Sequence, residues 1–276
     1  MIVSNQGSIA DAIDLIKYGE MSLSMSAALS IDPSRRLFTK VNHNIFYRKI
    51  WEYLYVVKQC ELWFAGRSPK KAYGFGCGLE RLPLYIAQHV QSVVATDAPP
   101  EVAKACWKDS KQYLSSLKYY DGFSTEFLEE TQRISVGYHD MNSIQQDIGL
   151  QDFIWSASSL EHLGTMAKAK QFVVESSQLL TPGGMAAHCT EYNLSSNIET
   201  RLKGDSVYFR RRDVNDLAEM LDDKGLCLSP VNFTNYHHPY NTYVDRPPYL
   251  SNPSHMRVSF DGYALTSFGF TVTWKQ

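Results

Sequence analysis

Two kinds of hydrophobic periodicity divide the chain. Up to about position 66, apolar residues recur at helical spacing: Ile9, Ala12, Ile13 and Ile16, then, from about Asn44, Ile45, Ile50, Tyr53, Leu54 and Val57. Residues three or four apart share one face of an α-helix, so this stretch predicts helices with one buried side. Arg67-Ser68-Pro69-Lys70-Lys71 is a polar break of the kind that separates periodic segments. Beyond it lie apolar runs short enough for buried strands, at 71–75, 92–96, 134–138, 152–156 and 184–189. Helical stretches are predicted between them at 80–90, 100–117, 142–148 and 166–180. Strand then helix, repeated, implies a mostly parallel sheet with right-handed crossovers and helices on both faces. A ligand crevice is then expected beyond the carboxyl ends of the strands. Farther on, one helix is predicted at 213–224, closing at Gly225, and a loop rich in Pro, Asn and Tyr at 232–259. The alternating run 264–274 predicts a terminal strand, antiparallel at or near the sheet edge.

Composition narrows the partners. Apolar residues fill 44% of 276 positions, enough for one large core with at most a small appendage. The 27 Lys and Arg nearly balance the 29 Asp and Glu, so no global field draws the chain onto nucleic acid or anionic lipid, and no nucleic-acid partner is expected. The five cysteines are odd in number and never form C-x-x-C, which argues against a disulfide framework or a zinc knuckle. No window approaches the roughly 18 apolar residues of a membrane span, and the opening seven residues lack a basic segment leading into an apolar run. No integral membrane segment is expected, and the cytoplasm is the default compartment. A homo-oligomer stays open.

The chemistry concentrates in Tyr73-Gly74-Phe75-Gly76-Cys77-Gly78, at the turn from the first parallel strand into its helix. Glycine there permits φ > 0 and lets backbone N–H groups approach a ligand with no Cβ in the way. Asp97 follows Gly78 by 19 residues, at the end of the next strand, where a carboxylate can accept both ribose hydroxyls of an adenosine. Loop and acid together point to an adenosine-containing cofactor. A dinucleotide loop needs G-x-G-x-x-G, but Leu79 stands at the third glycine and Glu80 follows, so a pyrophosphate would meet a carboxylate. S-adenosylmethionine has no phosphate and carries a sulfonium cation; it tolerates the acid, and a helix N-terminus can still face its carboxylate. The competing reading is an ordinary glycine-containing turn.

With these residues the sequence resembles the class I S-adenosylmethionine-dependent methyltransferases over roughly residues 70–190. Four elements match in order: Gly74-Phe75-Gly76-Cys77-Gly78; Val94-Ala95-Thr96-Asp97; Ser158-Ser159-Leu160-Glu161-His162-Leu163; and Leu179-Leu180-Thr181-Pro182-Gly183-Gly184. The resemblance implies a Rossmann-like, mostly parallel seven-stranded sheet with an antiparallel terminal strand. Residues 1–69 are then an N-terminal helical cap, and 70–276 a donor-binding domain with a C-terminal acceptor-recognition region. It implies further that Gly76 and Gly78 contact S-adenosylmethionine, that Asp97 binds its ribose, that Asp140 approaches the adenine amino group and that Met141 packs on the adenine face. Gly74, Phe75, Cys77, Ala98 and Ser158 complete the expected donor set. The chain departs from the family pattern in two places: Gly74 stands where an acidic residue is usual, and Glu80 where the third loop glycine is. Asp140 has a bland alternative, as a cap for the short helix after it.

An oxygen acceptor needs its proton removed, and the candidates at the ends of the fourth and fifth strands are Glu161, His162, His188 and Glu191. His162 is the first choice for the reaction centre and Glu191 the second. A divalent metal through His188, Glu191 and Asn193 is weighed and not adopted, since His188 and Glu191 need not share a face of the strand. The segment Tyr47-Arg48-Lys49-Ile50-Trp51-Glu52-Tyr53 sits where such enzymes carry a helical lid. Arg48 would pair with the donor's carboxylate there, and Trp51 or Tyr53 would wall the sulfonium; the alternative is plain core. Arg210-Arg211-Arg212 is either an anion clamp or a solvated surface before a capped helix. His237-His238-Pro239 and Asp245-Arg246-Pro247-Pro248-Tyr249 lie in a stretch long enough for an acceptor-binding loop. The chain as a whole, including Thr190-Glu191-Tyr192-Asn193-Leu194 and Phe209-Arg210-Arg211-Arg212-Asp213, looks closest to bacterial methyltransferases of surface-glycan synthesis, which implies O-methylation of a sugar or glycan precursor. The alternatives are an N- or O-methyltransferase of a small secondary metabolite, a non-catalytic donor-binding module, and a nicotinamide oxidoreductase.

Overall fold

The computed structural model describes residues 47–104, 108, 112–116, 118–125, 127–144, 148–231, 233, 239–249 and 255–276. The helix expected around Ile9–Ile16, and His237 and His238, lie outside the described residues. Strands β1 (Lys71–Gly74), β2 (Ser92–Asp97), β3 (Ile134–Tyr138), β4 (Gln151–Ala157) and β5 (Leu180–Asn193) are parallel. The long β9 (Tyr263–Trp274) lies antiparallel on β5 and carries β6 (Leu226–Leu228) and β8 (Arg257–Phe260) along its other side, with β7 (Val244–Asp245) outermost. The sheet order is β3-β2-β1-β4-β5-β9-β8-β7, with β6 paired to β9. This is the expected mostly parallel α/β sheet with an antiparallel side. Among the described residues it has nine strands where seven were expected, because β7 and β8 arise in or at the end of 232–259, in runs too short to show an alternation.

Alternation along the strands separates two cores. Ala72, Phe153, Trp155, Ala187 and Cys189 face α1 (Arg48–Phe64) and α2 (Leu82–Ile86), whereas Tyr73, Phe75, Ile154, Ala186 and Phe270 face α4 (Met166–Ser177) and α5 (Arg211–Asp222). A short α3 (Leu128–Arg133) leads into β3. The hydrophobic stripe of α1 is fully used: Ile50, Trp51, Leu54, Tyr55 and Val57 are all buried. At Gly269 of β9 a Cβ would stand 2.7 Å from the Tyr55 ring, so the missing side chain sets how deeply the helix beds on the sheet.

The structure corrects several boundaries. Of the helix expected over 100–117, the described residues show a turn and bend at 100–103, a helical Lys108, and no regular structure at 112–116. Tertiary bonds outweigh helical propensity at that last stretch: the Leu114 N–H donates to Asp97 Oδ2 (2.9 Å) and the Tyr113 hydroxyl to the Ala98 carbonyl (3.0 Å). The helix expected over 80–90 shrinks to Leu82–Ile86. At the start of 142–148, Asp140 accepts the Asn142 N–H (2.9 Å) and closes a turn over the described residues 141–143. Strand β5 begins at Leu180, four residues early, and its register to β4 shifts between Leu180 and Met185. Thr181–Gly184 bulge out there, with Gly183 at φ +80°.

Candidate active site

The chain turns back on itself between β1 and β4, and the carboxyl ends of the strands open on a cavity of about 900 Å³, as a switch point of strand order predicts. Gly76, Cys77, Gly78, Asp97, Ala98, Asp140, Met141, Ser158, Arg48, His162 and Glu191 all line it. Gly74 and Phe75 do not. A Cβ on Gly74 would fall 2.2 Å from the Trp155 ring, so that glycine exists for the indole of β4, and Phe75 is buried against His139 and Phe172.

One end of the cavity is held by backbone. Phe75 N donates to Trp155 O (3.0 Å) and Cys77 N to Thr96 O (2.8 Å), pinning the loop between β4 and β2. Gly76 at φ +61° and Gly78 at φ +52° occupy the left-handed region that residues with a Cβ avoid. A Cβ on Gly76 would also stand 2.5 Å from Ser159 and one on Gly78 2.4 Å from the Gln112 carbonyl. Asp97 accepts from Ala98 N (2.7 Å) and Leu114 N (2.9 Å). Burial raises its carboxyl above the usual aspartate range, opposed by the backbone N–H groups of Leu114, Ala98 and Gly78. The carboxylate keeps acceptor capacity for a hydroxyl. Met141 brings its sulfur to the wall beside Gly76. A carboxylate, an apolar thioether and glycine backbone in one pocket fit an adenosyl group.

The other end is held by charge. Arg48 Nη1 bonds Glu191 Oε1 at 2.6 Å, and Lys49 Nζ stands 3.3 Å from the same oxygen. Both cations also face Glu52, at 3.6 and 3.3 Å. The fully buried Glu52 accepts the hydroxyls of Ser158 and Ser267, and Lys49 reaches Ser158. Burial opposes ionisation of Glu191, but the charges and hydrogen bonds of Arg48 and Lys49 win and hold its carboxyl below the usual range. Ser158 sits at φ +52°, a strained backbone for a residue with a Cβ, of the kind found at functional turns. His162 Nδ1 lies 2.7 Å from the Asp205 carbonyl. That oxygen can only accept, so the proton is on Nδ1 and the lone pair on Nε2. Burial lowers the imidazole below its ordinary value, with the Asp205 carbonyl opposing.

Other candidates fall away from the cavity. His188 is fully buried between Phe172 and Phe270 with Nδ1 2.8 Å from the Ser156 hydroxyl, and burial lowers it to about 3. It is on the opposite face of β5 from Glu191, as strand alternation requires. Glu161 is sealed behind the wall; burial raises its carboxyl to about 8, and Oε1 is buried without a hydrogen-bond partner. Trp51 is core, stacked on Tyr55, whereas Tyr53 does line the cavity. Arg210 forks onto Asp213 and bonds the Ile198 carbonyl as a helix cap, and none of the three arginines lines the cavity. Among the described residues no group of three His, Cys, Asp or Glu could hold a metal ion, and no helix is long and apolar enough to cross a membrane. Lys49 and Glu52 escaped the sequence reading, although Arg48, Lys49 and Glu52 at helical spacing were a visible signal. So did Phe260, whose ring stands 6.4 Å from that of Tyr249 in the expected acceptor-binding loop, the two 43% and 42% accessible at the cavity wall.

Residues 74–188, from β1 into β5, match the family model of a methyltransferase domain. No curated protein matches the chain. Among solved structures, similarity extends to the YcgJ protein of Bacillus subtilis (11% identity, 79% of this chain and 99% of that one, TM-score 0.48). It extends also to an S-adenosylmethionine-dependent methyltransferase of Clostridium acetobutylicum (10%, 96% and 99%, 0.47). A third is magnesium protoporphyrin IX methyltransferase of Synechocystis PCC 6803 with bound SAH (12%, 95% and 99%, 0.47).

Proposed function

We propose that this chain, whose residues 74–188 carry a methyltransferase domain of the class I, S-adenosylmethionine-dependent kind, transfers the donor's methyl group to a hydroxyl of a sugar or glycan precursor. The observation that carries this reading is the shared cavity. Its roughly 900 Å³ put Asp97 and the glycine turn in one space with His162, Glu191, Tyr249 and Phe260, near the top of the roughly 300–1,000 Å³ range of small-molecule sites and with room for two reactants. S-adenosylmethionine is the cofactor, and it supplies an electrophilic methyl group on a sulfonium. Asp97 takes the ribose hydroxyls, Asp140 and Met141 the edge and face of the adenine, and Gly76, Cys77, Gly78, Ala98 and Ser158 the remaining donor surface. Gly74 and Phe75 act from behind, as packing for the turn.

His162 takes the proton of the acceptor hydroxyl through Nε2. Its depressed pKa keeps the imidazole neutral at pH 7, and the Asp205 carbonyl fixes the tautomer. Glu191, kept anionic by Arg48 and Lys49, accepts hydrogen bonds from neighbouring hydroxyls of the same acceptor; Arg48 is thereby assigned to Glu191 in place of the donor carboxylate. Tyr249 and Phe260 offer flat apolar rings on which the C–H face of a sugar packs.

The test is incubation of the protein with isotopically labelled donor and a panel of sugar nucleotides, oligosaccharides and small hydroxyl- and amine-bearing metabolites. A methylated sugar hydroxyl is the expected product. A methylated amine or small metabolite moves the acceptor to the second class, and tight S-adenosylhomocysteine binding with no product from any acceptor reduces the chain to a donor-binding module.

A further inference from the structure

Glu80 is a buried carboxyl that neither the donor contacts nor the acceptor chemistry has used. It follows the glycine turn, lines the cavity and is 7% exposed. Its backbone is fixed: Glu80 N donates to Cys77 O (3.1 Å), and the Tyr120 hydroxyl donates to Glu80 O (3.0 Å). Its side chain is aimed by the Trp155 indole N–H, 2.8 Å from Oε1. That bond points it toward β4, away from the β2 side where Asp97 stands. The titratable groups facing it are Cys77 in its own loop, Asp97 at the end of β2, Glu52 and Tyr53 on α1, and Tyr119 and Tyr120 in the segment packed below. None of these is a cation, and Asp97 and Glu52 oppose a further negative charge. The adjacent Arg81 is turned over the Phe123 ring, 4.8 Å from its centroid. Burial first, then these anions, push the Glu80 carboxyl up to about 8, with the Trp155 and Cys77 hydrogen bonds opposing. At pH 7 the group is a neutral acid.

Glutamine would accept the indole N–H equally well, so the hydrogen bond alone does not call for a carboxyl. What only a carboxyl can do here is gain a charge when a cation arrives. We propose that Glu80 is the counter-charge for the cationic methionyl portion of the donor, neutral in the free protein and ionised in the complex, so that donor binding expels a proton. The step is Glu80–COOH plus donor cation giving Glu80–COO⁻ paired with that cation, with one H⁺ passed to solvent. This rests on S-adenosylmethionine being the cofactor and makes recognition of it tighten as pH rises.

The experiment is calorimetric titration of wild-type protein and Glu80→Gln with S-adenosylmethionine and with S-adenosylhomocysteine, at pH 7 in buffers of different ionisation enthalpy. Wild type is expected to release about 0.8–0.9 proton per donor if the carboxyl falls to about pH 6 or below in the complex, and the glutamine variant close to none. Release with both ligands assigns the partner as the ammonium, which both carry; release with S-adenosylmethionine alone assigns it as the sulfonium. Wild-type affinity should also rise up to about tenfold per pH unit between pH 6 and 8, a readout that stands even if the variant does not fold. Equal proton counts in the two proteins, or a pH-independent wild-type affinity, overturns the proposal while leaving the cofactor intact. Absence of binding by wild type to either ligand overturns the cofactor reading as well.

Discussion

The two ends of the cavity are built on different principles. At the glycine turn the walls are backbone, held by strand amides and by left-handed glycines, and the residues lie within a few dozen positions of one another. At the opposite end the walls are side chains from distant parts of the chain: Arg48 meets Glu191 across 143 positions, and Tyr249 and Phe260 arrive from the last fifth of the sequence. Backbone cradles are rigid and tolerate no Cβ, whereas charge clusters depend on each member staying in place. Substitutions at the two ends should therefore fail in different measurements.

The largest effect is expected from His162→Ala, which should lower turnover by about 10²–10⁴-fold while leaving the dissociation constant for S-adenosylhomocysteine within about twofold. Because burial holds this imidazole down, wild-type turnover should persist below the ordinary histidine pKa of about 6.5, and its acid limb should vanish in the variant. Next is Glu191→Ala, which leaves Arg48 and Lys49 sharing Glu52 alone and should cost about 3 kcal/mol in urea unfolding, the lower end for a broken buried pair because Glu52 remains and the cations are 16% and 29% exposed. Donor affinity should be unmoved. At the opposite end, Asp97→Ala should cost about 1.5–3 kcal/mol of donor affinity, and unchanged binding in a folded variant would remove Asp97 from the ribose. The smallest effect belongs to Tyr249→Ala and Phe260→Ala, each expected to raise KM for the acceptor about three- to tenfold, the worth of one aromatic contact, with kcat held. If either weakened S-adenosylhomocysteine binding as much as Asp97→Ala does, the division into two ends would be wrong.

This division also explains what could be read beforehand. The glycine turn and Asp97 were legible because strand, turn and strand repeat at short range, and the five parallel strands were each found near their true positions. The helix expected over 100–117 was drawn too far at its carboxyl end because Leu114 is recruited by the Asp97 carboxylate, a tertiary demand that local propensity does not register. His188 and Glu191 looked equivalent in a linear string and separate only once β5 fixes which face each occupies. Lys49 and Glu52 lay among core-forming residues of an amphipathic helix, and nothing local shows that Ser158 and Ser267 wait for them. Glu80 stood out as a foreign residue in its loop, but its meaning came from the indole of Trp155, three strands of chain away in sequence.

The bare backbone at Gly269 works like the fulcrum of a lever. The helix resting there on Tyr55 carries two positive groups at its far end, where they brace Glu191. A methyl group added at position 269 would press on the Tyr55 ring and so on the helix that carries both cations, acting through it on the Glu191 cluster proposed to hold the acceptor. On the proposed roles, acceptor choice can then drift through a change at a position outside the cavity lining.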